Sequence, residues 1–173
     1  MRPVDLRTLI RDIPDFPTPG ILFRDITPLL CEPAAFREVL DTLAERARSV
    51  GAGAIVGIES RGFIFGCPLA DRLALPFVPV RKPGKLPAAR MSVEYSLEYG
   101  DSRLDIHEDA LVAGQRAFVV DDLLATGGTA AAAGKLVELT GGIVAGYGFV
   151  IELAALGGRQ RLAGYDTFSI IQY

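Results

Sequence analysis

Apolar positions recur along this chain in two rhythms, one helical and one strand-like, and the two alternate from end to end. Leu6, Leu9, Ile10 and Ile13 fall at helical spacing and predict a first helix that Pro14 stops. The string Pro14-Asp15-Phe16-Pro17-Thr18-Pro19-Gly20 is too dense in proline for a regular element. Phe36, Val39, Leu40, Leu43, Ala44 and Ala47 then line one face of a longer helix, opened by Pro33 near its first turn. A fully apolar strand at 54–58 runs into Glu59-Ser60-Arg61-Gly62 and a helix reaching Leu73, and a strand at 77–80 follows. From Met91 to His107 polar and apolar residues alternate around the turn formers Gly100-Asp101-Ser102, which predicts an antiparallel hairpin projecting from the sheet. Residues 116–120 read as a buried strand ending in Asp121-Asp122. A glycine-rich loop leads from it into an alanine-rich helix at 129–140, and strands at 143–151 and 167–171 complete the set. Helices and strands in alternation imply an α/β fold, with a mainly parallel sheet flanked by helices.

Composition narrows the picture. The 173 residues suit one domain, and half of them are hydrophobic, enough for a core without staples. No apolar run approaches the ~20 residues of a membrane-spanning helix. Met1-Arg2-Pro3-Val4-Asp5 has no apolar signal core, so the expected compartment is the cytoplasm. A net charge of −3 gives no footing for bulk binding to nucleic acid or to an anionic membrane. Cys31, Cys67 and His107 are the only residues of their kinds and cannot supply the ligand set of a structural zinc. The cysteines read as buried free thiols, and His107, on the polar side of its alternating stretch, as a solvated strand position. A single histidine also argues against Ser-His or Cys-His nucleophilic catalysis.

The chemistry concentrates in Phe118-Val119-Val120-Asp121-Asp122-Leu123-Leu124-Ala125-Thr126-Gly127-Gly128-Thr129-Ala130. A buried parallel strand delivers its C-terminal end to the crevice where α/β sheets bind ligands. Paired glycines let successive N–H groups point into one concavity, and the helix that follows adds its positive end, which makes a phosphate cradle. Thr126 and Thr129 can donate hydroxyl hydrogen bonds to the same anion. Carboxylates repel phosphate, so Asp121 and Asp122 need a ligand that carries a vicinal diol as well. They would accept hydrogen bonds from ribose hydroxyls or hold a hydrated metal, which points to a 5-phosphoribosyl group. A nucleotide-triphosphate P-loop is excluded, because the loop lacks the Gly-Lys-Ser/Thr ending and the first lysine beyond it is Lys135.

Residues 121–129 resemble the phosphoribosyl diphosphate motif of the type I phosphoribosyltransferases. Further strings resemble the adenine-using branch of that family in the same order: Phe16-Pro17-Thr18-Pro19-Gly20 with Phe23-Arg24-Asp25-Ile26, Ser60-Arg61-Gly62-Phe63, Arg81-Lys82-Pro83-Gly84-Lys85-Leu86-Pro87, and Tyr95-Ser96-Leu97-Glu98-Tyr99-Gly100. Pro83 departs from the family, which often carries a basic residue there.

The resemblance implies a purine salvage transferase that moves the 5-phosphoribosyl group of 5-phosphoribosyl 1-diphosphate to adenine, giving AMP and pyrophosphate. Another purine base, or a non-catalytic sensor of the same ligand, is the alternative. The phosphoribosyl site would comprise Asp121, Asp122, Ala125, Thr126, Gly127, Gly128 and Thr129. Pyrophosphate would meet Ser60 and Arg61, with Arg81, Lys82 and Lys85 acting in their own subunit or across a dimer interface. Leu22, Phe23, Arg24 and Leu153 would bind adenine, although Leu153 reads equally well as a core leucine. Glu98 would be the catalytic residue, on a closing hairpin with Tyr99, taking or giving a proton. Magnesium would be held mainly by the substrate rather than by direct protein ligands. The resemblance also implies a homodimer, and a single domain over 1–173 with a hood at about 1–33 and a mobile hairpin at about 82–107.

Overall fold

The computed structural model describes residues 5–97 and 100–173. The chain divides into two compact units, Met1–Thr42 and Leu43–Tyr173.

In the first unit Leu6–Leu9 forms a single 3-10 turn, after which β1 (Arg11–Ile13) pairs antiparallel with β2 (Phe23–Asp25). The helix expected to run through Ile13 therefore stops early. Ile10 is already extended, and Arg11 and Asp12 enter a ladder opposite Asp25 and Arg24. Arg24 pairs with Asp12 and Arg11 lies 3.7 Å from Asp25, so cross-strand charge pairs override a short helical spacing. The Phe16–Pro17 peptide is cis, and the Phe16 ring meets Phe23 edge-on at 5.1 Å. The Asp25 carboxylate accepts from the Thr27 hydroxyl at 2.5 Å and the Thr27 N–H at 3.0 Å, which holds its pKa below the usual aspartate range. Thr27 opens α1 (Thr27–Leu30), and α2 (Pro33–Ser49) begins with Pro33 where a missing N–H costs nothing.

The second unit takes in the end of α2, which buries Leu43, Ala44 and Ala47. After it come β3 (Ala54–Ile58), α3 (Arg61–Leu73), β4 (Phe77–Val80), β5 (Arg90–Leu97) and β6 (Gly100–His107). The chain continues through β7 (Arg116–Leu124), α4 (Gly128–Leu139), β8 (Ile143–Glu152), α5 (Gly158–Arg161) and β9 (Thr167–Gln172). Five strands form one parallel sheet in the order β4-β3-β7-β8-β9. Every residue of β3 is buried, as a strand covered on both faces should be. Ile58, Val80, Val119, Leu136, Tyr147 and Phe149 belong to the core between this sheet and its helices.

Strand order reverses between β3 and β7. In open α/β sheets that reversal opens a crevice at the carboxyl ends of the two strands.

The hairpin forms, with Gly100, Asp101 and Ser102 in its second strand. Leu97 faces Gly100, while Asp101 and Ser102 lie in the ladder opposite Ser96 and Tyr95. Ser96 Oγ donates to the Asp101 carboxylate at 2.8 Å, so these turn formers are strand residues here. The hairpin is also not free of the body. Met91, Val93 and Tyr95 pack on the core that includes buried Leu104 and Ile106. Asp105 lies within β6, fully buried, and accepts from Ser92 Oγ at 2.7 Å with Arg103 at 3.2 Å and Arg90 at 3.5 Å. His107 is half-buried rather than solvated, with its Nε2 3.4 Å from the Ala88 N–H. Both cysteines are free, as expected, but exposed rather than buried. Cys67 falls on the outer side of α3, whose inner side is taken by Phe65, Gly66, Leu69 and Ala70.

Candidate functional site

Two strand-end loops flank the crevice between β3 and β7. The first is Glu59-Ser60, joined by a cis peptide, from which α3 starts at Arg61. Gly62 lets that helix start approach the neighbouring strand, since a Cβ there would meet the Val120 carbonyl oxygen at 2.7 Å. Arg61 Nε reaches the Asp122 carboxylate at 2.6 Å, tying the two loops together.

The second loop grows from β7, which runs four residues beyond the expected end and carries both aspartates inside the ladder opposite β8. Both aspartates line the crevice, and they differ in their partners. Asp122 is buried against Arg61. The Asp121 carboxylate accepts the Asp122 N–H at 2.9 Å, and Asp121 lines the crevice. Burial first, and then the neighbouring Asp122 charge, push the Asp121 carboxyl well above the ordinary aspartate range. Ala125 and Thr126 lead to Gly127, whose φ of +83° only glycine adopts cheaply, and α4 begins at Gly128. Gly127 is also crowded, because a Cβ there would lie 2.6 Å from the Gly158 carbonyl oxygen. A cleft of about 200 Å³ follows the loop from Asp121 to Ala130 and includes Arg61.

A further cavity of about 280 Å³ brings Arg61, Lys82, Asp121, Asp122 and Thr129 together with Glu59 and Tyr95. Of the other basic residues singled out, Arg81 gives its guanidinium to the Glu59 carboxylate at 3.2 and 3.4 Å and to the Lys85 carbonyl at 3.2 Å. The Lys82 N–H also donates to Glu59, at 2.9 Å. Burial alone would raise the Glu59 pKa, but the Lys82 amide and then Arg81 outweigh it and hold the carboxyl below its ordinary value. Lys85 lies exposed on its turn.

Glu59 and Tyr95 were not among the residues singled out from sequence. Glu59 fixes the basic turn, and Tyr95 takes the Thr129 hydroxyl at 3.3 Å. The signal for Tyr95 was its place on the same side of the alternation as Met91 and Val93. The structure carries Leu22, Phe23 and Arg24 in the first unit, with Leu22 exposed. Leu153 follows β8 in the second unit, where its N–H donates to the Leu124 carbonyl at 2.9 Å. Glu98 and Tyr99 lie outside the described residues.

Comparison with known proteins agrees with this geometry. Residues 29–158 match the family model described as phosphoribosyl transferase domain. An adenine phosphoribosyltransferase of Gloeobacter violaceus is 60% identical over 98% of this chain and 100% of its own length. The crystal structure of adenine phosphoribosyltransferase from Thermoanaerobacter pseudethanolicus superposes with a TM-score of 0.95 at 53% identity, covering 98% of each chain. The Saccharomyces cerevisiae enzyme, solved with an imino-altritol bisphosphate and adenine, superposes at 0.90 with 42% identity over 96% of each chain.

Proposed function

The chain belongs to the phosphoribosyltransferase family, and we propose that it transfers the 5-phosphoribosyl group of 5-phosphoribosyl 1-diphosphate to N9 of adenine, a purine salvage reaction yielding AMP and pyrophosphate. The carrying observation is the crevice itself. At one reversal of strand order a neutral N–H cradle with two carboxylates faces a helix start bearing a cation, and this polarity suits a sugar with phosphate at one end and diphosphate at the other.

Residues 125–129 are assigned to the 5-phosphate, and Asp121 and Asp122 to the ribose hydroxyls. Ser60 and Arg61 are assigned to pyrophosphate, with Lys82, Arg81 and Lys85 in support. Arg81 acts in this reading by holding the basic turn through Glu59. For the base, the reading keeps Leu22, Phe23 and Arg24, and separately Leu153. Glu98 is assigned to the proton balance of the purine's imidazole half, because a carboxylate beside pyrophosphate would be repelled. The protein's contribution is mostly positioning, together with charge stabilisation of departing pyrophosphate and a cation-like sugar.

Magnesium fits this site as a passenger of the substrate. The carboxylates lining the cavity are Asp121, Asp122 and Glu59, and Glu59 is already taken by Arg81 and the Lys82 N–H. Such an ion would take its remaining oxygens from diphosphate, ribose and water, and when bound it would neutralise diphosphate charge. The same reading carries a homodimer. It also places the protein in the cytoplasm, where the exposed thiols of Cys31 and Cys67 would stay reduced. Among the described residues no helix is long and apolar enough to cross a membrane.

The test is a panel of bases with phosphoribosyl diphosphate and magnesium. Adenine should be used at least about 100-fold more efficiently than hypoxanthine or guanine, a gap of roughly 3 kcal/mol. Equal turnover of the three would sink the assignment.

A further inference from the structure

Arg161, the last residue of α5, stands against the phosphate loop. Its Cβ is 3.2 Å from where a Cβ on Gly127 would lie, and its Nη1 is 3.2 Å from the corresponding point on Gly128. The guanidinium therefore lies against the bare glycine backbone at the start of α4. A cavity of about 650 Å³ continues from Thr126 past Ser96 to Gln160 and Arg161, and neither Asp121 nor Asp122 lines it.

Charge gives this placement its meaning. A phosphate monoester brings about −1.5 to −2 at neutral pH. None of residues 125–129 carries a charge, and the residues just before them include two aspartates. Arg61 lines the cleft along the loop but is engaged with Asp122 at 2.6 Å. Lys135, the next cation along α4, sits beside Glu138 at 3.8 Å. Arg161 pairs with no carboxylate among the described residues. A cation placed against an anion cradle, with no acid of its own among the described residues, is suited to the anion.

Resting on the reading above, we infer that Arg161 is a substrate-binding residue whose guanidinium donates to the 5-phosphate in the loop. It supplies the positive charge that the loop's own residues lack. A planar fork of donors matches phosphate geometry, and a guanidinium keeps its charge at any working pH. The contact is made alike in ground and transition states, so it governs affinity rather than the chemical step.

Calorimetry with two separate probes, ribose 5-phosphate and inorganic pyrophosphate, tests this on wild type, Arg161→Ala and Arg161→Lys. In Arg161→Ala the Kd for ribose 5-phosphate should rise about 10- to 100-fold, the range of a hydrogen bond between charged groups. The KM for phosphoribosyl diphosphate should rise with it, while kcat and pyrophosphate affinity stay within about twofold. Arg161→Lys should recover part of the loss, because it keeps the charge without the fork. Unchanged ribose 5-phosphate affinity in Arg161→Ala would overturn the inference. So would an equal loss for pyrophosphate, or a lysine variant no better than alanine. A wild type that fails the base panel yet shows this pattern would refute the assignment to adenine and leave Arg161 in place. An active wild type with an indifferent Arg161→Ala would do the reverse.

Discussion

Gly127→Ala is the sharpest probe of how the phosphate loop is built. Two costs can be read from the structure. The φ of +83° puts an L side chain in the left-handed region, at roughly 1–2 kcal/mol. The new methyl would also lie 2.6 Å from the Gly158 carbonyl oxygen and 3.1 Å from the Gly158 Cα. Both are backbone atoms, so neither can swing aside like the end of a side chain, and the loop or α5 must shift. Overpacking of that kind adds about 1–3 kcal/mol, which makes the expected total roughly 2–5 kcal/mol. Gly164→Ala is the control: its φ is +92°, yet nothing lies within 4 Å of its added carbon, so only the dihedral cost applies. Urea denaturation at unchanged m-value measures both. A shift at Gly127 also moves the Gly128 and Thr129 N–H groups, so calorimetric affinity for ribose 5-phosphate should fall in Gly127→Ala and not in Gly164→Ala. Equal destabilisation by the two substitutions, or intact affinity in Gly127→Ala, would refute the reasoning.

Two further outcomes are expected. The raised pKa of Asp121 means that stability is lost as pH climbs from the unfolded aspartate value, about 4, through the folded one, at up to about 1.4 kcal/mol per pH unit. In the unliganded protein the stability gained by Asp121→Asn should therefore grow across that window. A pH-independent difference between variant and wild type in denaturant titrations would contradict it. Glu98→Gln and Glu98→Ala should each lower kcat with adenine by about 10²- to 10⁴-fold, the worth of general acid–base catalysis, while leaving phosphoribosyl diphosphate binding near wild type. Full activity in Glu98→Ala would make it an ordinary surface carboxylate.

Much of this protein was legible in the order of its residues, for a physical reason. Buried parallel strands need uninterrupted apolar runs, and residues 54–58 and 117–120 have them. The loop at 125–129 needs glycine where the backbone turns back, and the glycines are there. What escaped was whatever depends on a partner distant in sequence. Leu6, Leu9, Ile10 and Ile13 have helical spacing, yet Arg11 and Asp12 are drawn into a ladder by Asp25 and Arg24. Gly100, Asp101 and Ser102 have turn chemistry, yet cross-strand pairing keeps them in β6. Asp105 sits at a polar position of its alternating pattern, but Ser92, Arg90 and Arg103 make burial tolerable. Glu59 likewise reveals its part only when Arg81 and Lys82 are seen to close on it.

The turn beneath Arg161 owes its position to the far edge of the sheet. A helix of four residues is well short of the ~12–15 that begin to hold together alone, so α5 has no rigidity of its own. Its anchor is Arg159, whose guanidinium forks onto the Glu152 carboxylate at 2.5 and 3.0 Å, donates to the Thr167 carbonyl at 2.5 Å and meets Ser169 Oγ at 3.1 Å. One side chain thus clasps β8 and β9 at once, and the residue two places on lies against Gly127 and Gly128. The edge strand β9 thereby becomes a structural foundation of the loop to which the 5-phosphate is assigned. A change in the packing of β9 should register first as a weaker grip on the 5-phosphate, with the chemical step left intact.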